Sequence, residues 1–134
     1  MENYFRLLII EDDENEIINY SDNVELFNED TEVDKFIIKV DFKKSLQDGL
    51  SALKDNKYDA AIVDLRLKQD NFDEAEGNKI IKSIVGNLRM PVAVVSGFLG
   101  DIDPELKKEN GLVKFYDRGD VEIINILENF KKIY

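Results

Sequence analysis

The sequence predicts an α/β protein built on one doubly wound, five-stranded parallel sheet with helices on both faces. Three observations carry this expectation. Short apolar runs alternate with longer amphipathic segments along the chain, the pattern of strand–crossover–parallel-strand units. Three of the runs, "LLII" at 7–10, "AAIV" at 60–63 and "VAVV" at 92–95, are apolar at every position rather than at every second one, as strands buried on both faces are. With 134 residues, 43% of them hydrophobic, the chain has the length of a single domain, 1–134, and enough apolar surface for such a core.

Each element follows in order. Phe5–Ile10 reads as the first strand. The segment 14–28 carries Ile17, Ile18, Val24, Leu26 and Phe27 at roughly helical spacing, with Ser21–Asn23 a weak middle. "NEDTEVD" (28–34) is a polar break, and "KFIIKV" (35–40) is the second strand. "KSLQDGLSALKDN" (44–56) sets Leu46, Leu50 and Leu53 on one helical face before a turn at "DNKYD". Ala60–Leu65 is the third strand, "KQDNFDEAEGN" (68–78) an acidic loop, and "KIIKSIVGN" (79–87) a short helix. "MPVAVVSG" (90–97) is the fourth strand, with Pro91 at its start, where a missing N–H is tolerated. Asp103 and Pro104 read as cap and first residue of another helix, with Gly111 as its stop. "LVKFY" (112–116) is the fifth strand. Asp120 is placed to cap the last helix, whose Ile123, Ile124, Leu127 and Phe130 line one face, with Lys131 and Lys132 at its negative end. There is no internal repeat, low-complexity tract or linker.

Composition excludes several kinds of function. Twenty-nine acidic residues against 18 basic ones leave a formal charge of −11, which argues against direct binding to nucleic acid or to an anionic membrane. The chain has no cysteine and no histidine, so disulfides, thiolate metal sites, histidine-based catalysis and a phosphohistidine of its own are ruled out. The apolar run near the start is too short for a signal peptide and no stretch approaches transmembrane length, so a cytoplasmic protein is expected.

In doubly wound sheets ligands sit beyond the carboxyl ends of the strands, near the point where strand order reverses. Glu11, Asp12 and Asp13 follow the first strand, Asp64 ends the third, Ser96 ends the fourth and Arg118 follows the fifth, so all should gather at one rim. Closely spaced carboxylates repel one another, which makes a hard, oxygen-seeking cation such as Mg²⁺ the fitting partner. A hydroxyl and a long cation nearby can hold phosphate oxygens, and an aspartate can itself attack phosphorus. Plainer roles compete. Asp64 can cap a turn, the acidic trio can offset a helix dipole, and Ser96-Gly97 can be turn chemistry. Arg118 can be a solvated loop cation and Phe115 plain core.

The motifs "LLIIEDDENE", "DAAIVDLRL", "PVAVVSGF" and "GLVKFYDRGD", in this order over nearly the whole chain, resemble the receiver domain of two-component response regulators, a flavodoxin-like fold. The resemblance implies that Asp64 is the phosphoacceptor and that Glu11 and Asp12 lie by Mg²⁺ together with Asp64, Asp12 being the direct ligand. It implies that the backbone carbonyl of Arg66 completes the metal site, that Ser96 bonds the phosphoryl group and that Phe115 is the aromatic switch residue. The surface spanning about 103–131 would then face the output partner. One departure stands out. The family's lysine after the fifth strand, usually followed by proline, reads here as Arg118-Gly119, and Arg118 rather than Lys114 has the expected separation from Ser96. On this view Arg118 takes the coupling role, with Gly119 giving its loop freedom.

The expectation is therefore a signalling module rather than an enzyme. It would receive a phosphoryl group on Asp64 from a histidine kinase or phosphotransfer protein and act on a downstream protein or output domain, with no direct contact to nucleic acid or membrane. The alternative is a receiver-like interaction module that is not phosphorylated. A Mg²⁺-dependent phosphohydrolase ranks third, because its Asp-x-Asp nucleophile motif is missing after the first strand.

Overall fold

The structure, a computed structural model, describes residues 4–30, 36–55, 57–64, 90–96, 113–117, 119 and 121–133. These form β1 (Tyr4–Ile10), α1 (Glu14–Asp30), β2 (Ile37–Lys43), α2 (Leu46–Asp55), β3 (Ala60–Asp64), β4 (Val92–Ser96), β5 (Val113–Asp117) and α3 (Ile123–Ile133). The five strands pair in parallel in the order β2-β1-β3-β4-β5. The chain thus steps outward from β1 to β2 and then crosses to β3 on β1's other side, so strand order reverses between β1 and β3. The helices predicted at 79–87 and 103–111, and the cap assigned to Asp120, lie outside the described residues.

Both faces of the sheet are covered, which explains the unbroken apolar runs. Successive strand residues point to opposite faces. Leu7, Ile9, Ile62 and Val95 pack with Tyr20, Val24 and Phe27 of α1 and with Ile123, Ile126, Leu127 and Phe130 of α3. Leu8, Ile10, Val63 and Val94 pack on the other face with Ala52 and Leu53 of α2. No helix among the described residues is long and apolar enough to cross a membrane.

The elements depart from the sequence expectation in instructive places. α1 runs unbroken through Ser21–Asn23, because Asn23 Nδ2 donates to the Asn19 carbonyl at 2.8 Å and to Asn19 Oδ1 at 3.2 Å, within the helix rather than against it. β2 lies at Ile37–Lys43 rather than 35–40, since its ladder with β1 runs from Tyr4↔Ile37 to Ile10↔Lys43. On α3 the buried stripe includes Ile126 while Ile124 is only half-buried, because 123, 126, 127 and 130 make the tighter helical face. In α2 the fourth residue, Gly49, packs directly on Ile10, where a Cβ would lie 2.7 Å from Ile10 Cγ1. Ser45 caps that helix, its Oγ accepting from Asp48 N–H at 3.0 Å.

Candidate functional site

Three consecutive acidic residues link β1 to α1, and the fold gives each a different environment. Asp13 is the N-cap of α1, its Oδ1 accepting from the N–H groups of Asn15 (2.9 Å) and Glu16 (3.1 Å). Glu11 turns inward, 1% exposed, its Oε1 accepting from Asp13 N–H at 3.1 Å. Its own N–H donates to the Lys43 carbonyl at 2.9 Å, carrying the β1–β2 ladder one residue past the strand. Asp12, between them, is half-buried.

Asp64 is the last residue of β3 and is 0% exposed. The β1–β3 register pairs Ile10 with Val63, so one step on Glu11, the residue after β1, comes level with Asp64, the last residue of β3. Among the described residues these two are the buried charged side chains, and each buries an oxygen completely, Glu11 Oε2 and Asp64 Oδ2. They lie at the carboxyl ends of the two strands between which strand order reverses, where a doubly wound sheet opens its ligand crevice. Beside them an exposed ion pair, Lys44–Glu14, joins the end of β2 to the start of α1.

The next strands extend the same rim. Asp64 pairs with Val95, so Ser96 lies one residue further along β4, and Ser96 pairs with Asp117, the last residue of β5. Phe115 pairs with Val94 and packs, half-buried, against the cluster on the α2 face. Arg66 and Arg118 lie outside the described residues. Lys114 stands lower, level with Ala93, and its Nζ donates to Asn129 Oδ1 of α3 at 3.2 Å, away from the rim. Gly119 lies in the turn that follows β5. Its N–H donates to Asp117 Oδ1 at 2.8 Å and Val121 N–H donates to the Asp117 carbonyl at 3.0 Å, a turn closed from its first residue. A proline at 119 would have no N–H to give, so the turn chemistry itself accounts for a non-proline residue there.

Among the described residues the donor set at the rim is made of oxygens, which suits Mg²⁺, an ion that takes one or two carboxylates and keeps several waters. Among the described residues no three carboxylates cluster closely enough to hold a metal by themselves. What fits Mg²⁺ here is the chemistry of the donors, not a cluster of three carboxylates. Sequence reasoning treated the acidic trio as a unit and missed Asp13 as a cap, although Asp13 and Glu16 have the spacing of a capping box. It also missed Gly49, for which nothing local gives a signal.

No family model matches the chain, and no curated protein does. Solved structures do match. A two-component response regulator from Clostridium difficile superposes with a TM-score of 0.68 at 17% identity, over 96% of this chain and 93% of that one. The response regulator TrrA from Thermotoga maritima, solved in complex with Mg²⁺-BeF, gives a TM-score of 0.60 at 16% identity, over 96% and 98% of the two chains. The non-phosphorylated receiver domain of HemR from Leptospira biflexa gives 0.59 at 21% identity, over 96% and 92%. Similarity at these identities is similarity of fold, and the strand order, register and two-sided packing described above agree with it: this chain has the receiver fold of two-component response regulators.

Proposed function

We propose that the chain is a phosphoacceptor module that takes a phosphoryl group on Asp64 and passes the change to a protein partner. The observation that carries this reading is the pair Glu11–Asp64, two carboxylates buried level with each other at the strand-order reversal. Burying charge there costs folding stability, and such sites are where function is concentrated. A carboxylate oxygen of Asp64 attacks the phosphorus of a donor phosphohistidine on a partner kinase or phosphotransfer protein. An O–P bond forms, the N–P bond breaks, and the leaving imidazole takes up a proton. Mg²⁺, when bound, neutralises charge on the carboxylates and on the transferring oxygens. Asp12 would hold it, with Glu11 and Asp64 beside it, and the backbone carbonyl of Arg66 would complete the set that the family resemblance implies. Ser96 and Arg118 hold the phosphoryl oxygens, and Phe115 carries the altered state toward the β5–α3 side. The role is that of a signalling module rather than an enzyme.

The test is intact mass after incubation with acetyl phosphate and Mg²⁺. The parent should gain one phosphoryl group and Asp64→Asn none. Mg²⁺ should also raise the melting temperature of the parent, equivalent to about 2.7 kcal/mol at a hundredfold excess over Kd, and Asp12→Ala should lose that response. A parent that stays unmodified with every donor and metal would leave an interaction module that does not use phosphate.

A further inference from the structure

β2 is an edge strand, and its outer side is closed at one position only among the described residues. The Lys43 carbonyl faces β1, where it accepts from Glu11 N–H, so alternation turns the backbone groups of Ile38, Val40 and Phe42 away from the sheet. At Ile38 that outward pair is taken by one side-chain amide of α1. Ile38 N–H donates to Asn28 Oδ1 at 2.8 Å, and Asn28 Nδ2 donates to the Ile38 carbonyl at 3.0 Å. Asn28 thus stands where the peptide of a further strand would stand. Nothing among the described residues does the same at Val40 or Phe42. There α1 and β2 leave a groove of about 580 Å³ with Val24, Val40 and Phe42 on its floor and Ser21, Glu25 and Glu29 along α1.

The charge of this groove is one-sided. α1 carries Glu14, Glu16, Asp22, Glu25, Glu29 and Asp30 and no basic residue. Glu29 and Asp30 occupy its last turn, where the helix dipole is already negative, an arrangement that raises the energy of the free helix and that an external cation relieves. Ile18, 56% exposed, lies two turns before Glu25 on the same side of the helix. An open strand edge supplies backbone donors and acceptors, and alternate side chains of an added strand reach the groove.

The geometry points to a docking site for an extended peptide segment whose groove-facing side chains are lysine or arginine. The segment adds to β2 as a sixth strand, hydrogen-bonded to Val40 and Phe42. The alkyl stems lie over Val24, Val40 and Phe42, and the charged heads reach Glu25 and Glu29. Asn28 ends the added ladder at Ile38. Asp64 takes no part, so the test is independent of phosphorylation.

The probe is the octapeptide acetyl-(Lys-Thr)4-amide, titrated into the ¹⁵N-labelled protein. The largest amide shifts should fall on Glu25, Asn28, Val40 and Phe42. The Glu25→Lys/Glu29→Lys double variant should bind at least tenfold more weakly, and Glu25→Gln/Glu29→Gln serves the same purpose should charge reversal disturb the fold. The N-methylated peptide, equal in charge but without backbone donors, should not bind. Equal binding of that peptide, or shifts scattered over the acidic surface and indifferent to both double variants, would mean diffuse attraction to an anionic chain and would overturn the site. So would dimerisation of the parent through β2 that the peptide fails to compete away, because the edge would then belong to a second copy.

Discussion

At the amino end of the sheet Asp59 is tied to Arg6 twice, whereas at the carboxyl end of the same strand Asp64 is sealed in the interior. Arg6 N–H donates to Asp59 Oδ2 at 2.8 Å, and Asp59 N–H donates to the Arg6 carbonyl at 2.8 Å. Nearby, Tyr58 donates its hydroxyl to Asp41 Oδ2 at 2.7 Å, and the Arg6 guanidinium lies 5.4 Å from the centre of the Tyr58 ring. These are accessible polar groups that fasten β1, β2 and β3 together with little desolvation. Asp64 is 0% exposed and stands level with a second buried carboxylate, Glu11. A carboxylate at a strand end is thus compatible with folding at either end of this sheet. Only at the carboxyl end is it fully buried beside a second carboxylate, and that asymmetry separates a fastening from a site.

The largest expected effect comes from crowding the carboxyl end. Gly49 lets α2 settle on Ile10, the residue before Glu11, and Ile10 is 0% exposed with no room to yield. Gly49→Ala should lose about 2 kcal/mol by overpacking, even after alanine's better helix propensity is counted. Urea unfolding measures it. Ile10→Val, which removes Cδ1 but keeps Cγ1, should recover part of the loss when combined with Gly49→Ala, and a neutral Gly49→Ala would mean that α2 does not bear on the rim.

Charge removal should have opposite signs at the two ends. Asp64→Asn removes a buried charge and should raise stability by about 1 kcal/mol. Asp59→Ala should lower it by about 1 kcal/mol through lost hydrogen bonding. Asp13→Ala, at the same rim as Asp64 but acting as a helix cap, should also cost about 1 kcal/mol. If Asp64→Asn were as destabilising as Asp59→Ala in the same unfolding experiment, the buried carboxylate would be a structural element and the contrast would fail.

The smallest effect is one of pH. Burial first, and the hydrogen bond and charge of Asp41 next, push the Tyr58 hydroxyl up from 10.0 to about 12, with Arg6 acting in the other direction. The neutral phenol is therefore favoured by folding. Its contribution is complete below pH 10 and is lost as pH rises toward 12. Stability measured on either side of pH 10 should fall less steeply in Tyr58→Phe than in the parent.

What the sequence determined by itself is what depends on near neighbours along the chain. The apolar runs at 7–10, 60–63 and 92–95 announced strands buried on both faces, and the order of motifs placed Glu11, Asp12, Asp64 and Ser96 at strand ends. The cap of α1 was legible too, since Asp13 and Glu16 are three residues apart, although the acidic trio hid it. Register, edge and close approach belong to the tertiary structure. That Glu11 is buried rather than a surface charge follows from its level beside Asp64 and from the Lys43 carbonyl, 32 positions away. That Gly49 is the residue on which α2 rests follows from Ile10, 39 positions away. That Asn28 closes one position of an edge strand requires β2 to be outermost in the sheet. Helical period, caps and strand apolarity are set by groups within a few residues of one another, and so they can be read in order. Which strands adjoin, and which side chain meets which, is decided by the joint packing of distant segments, which no local pattern encodes.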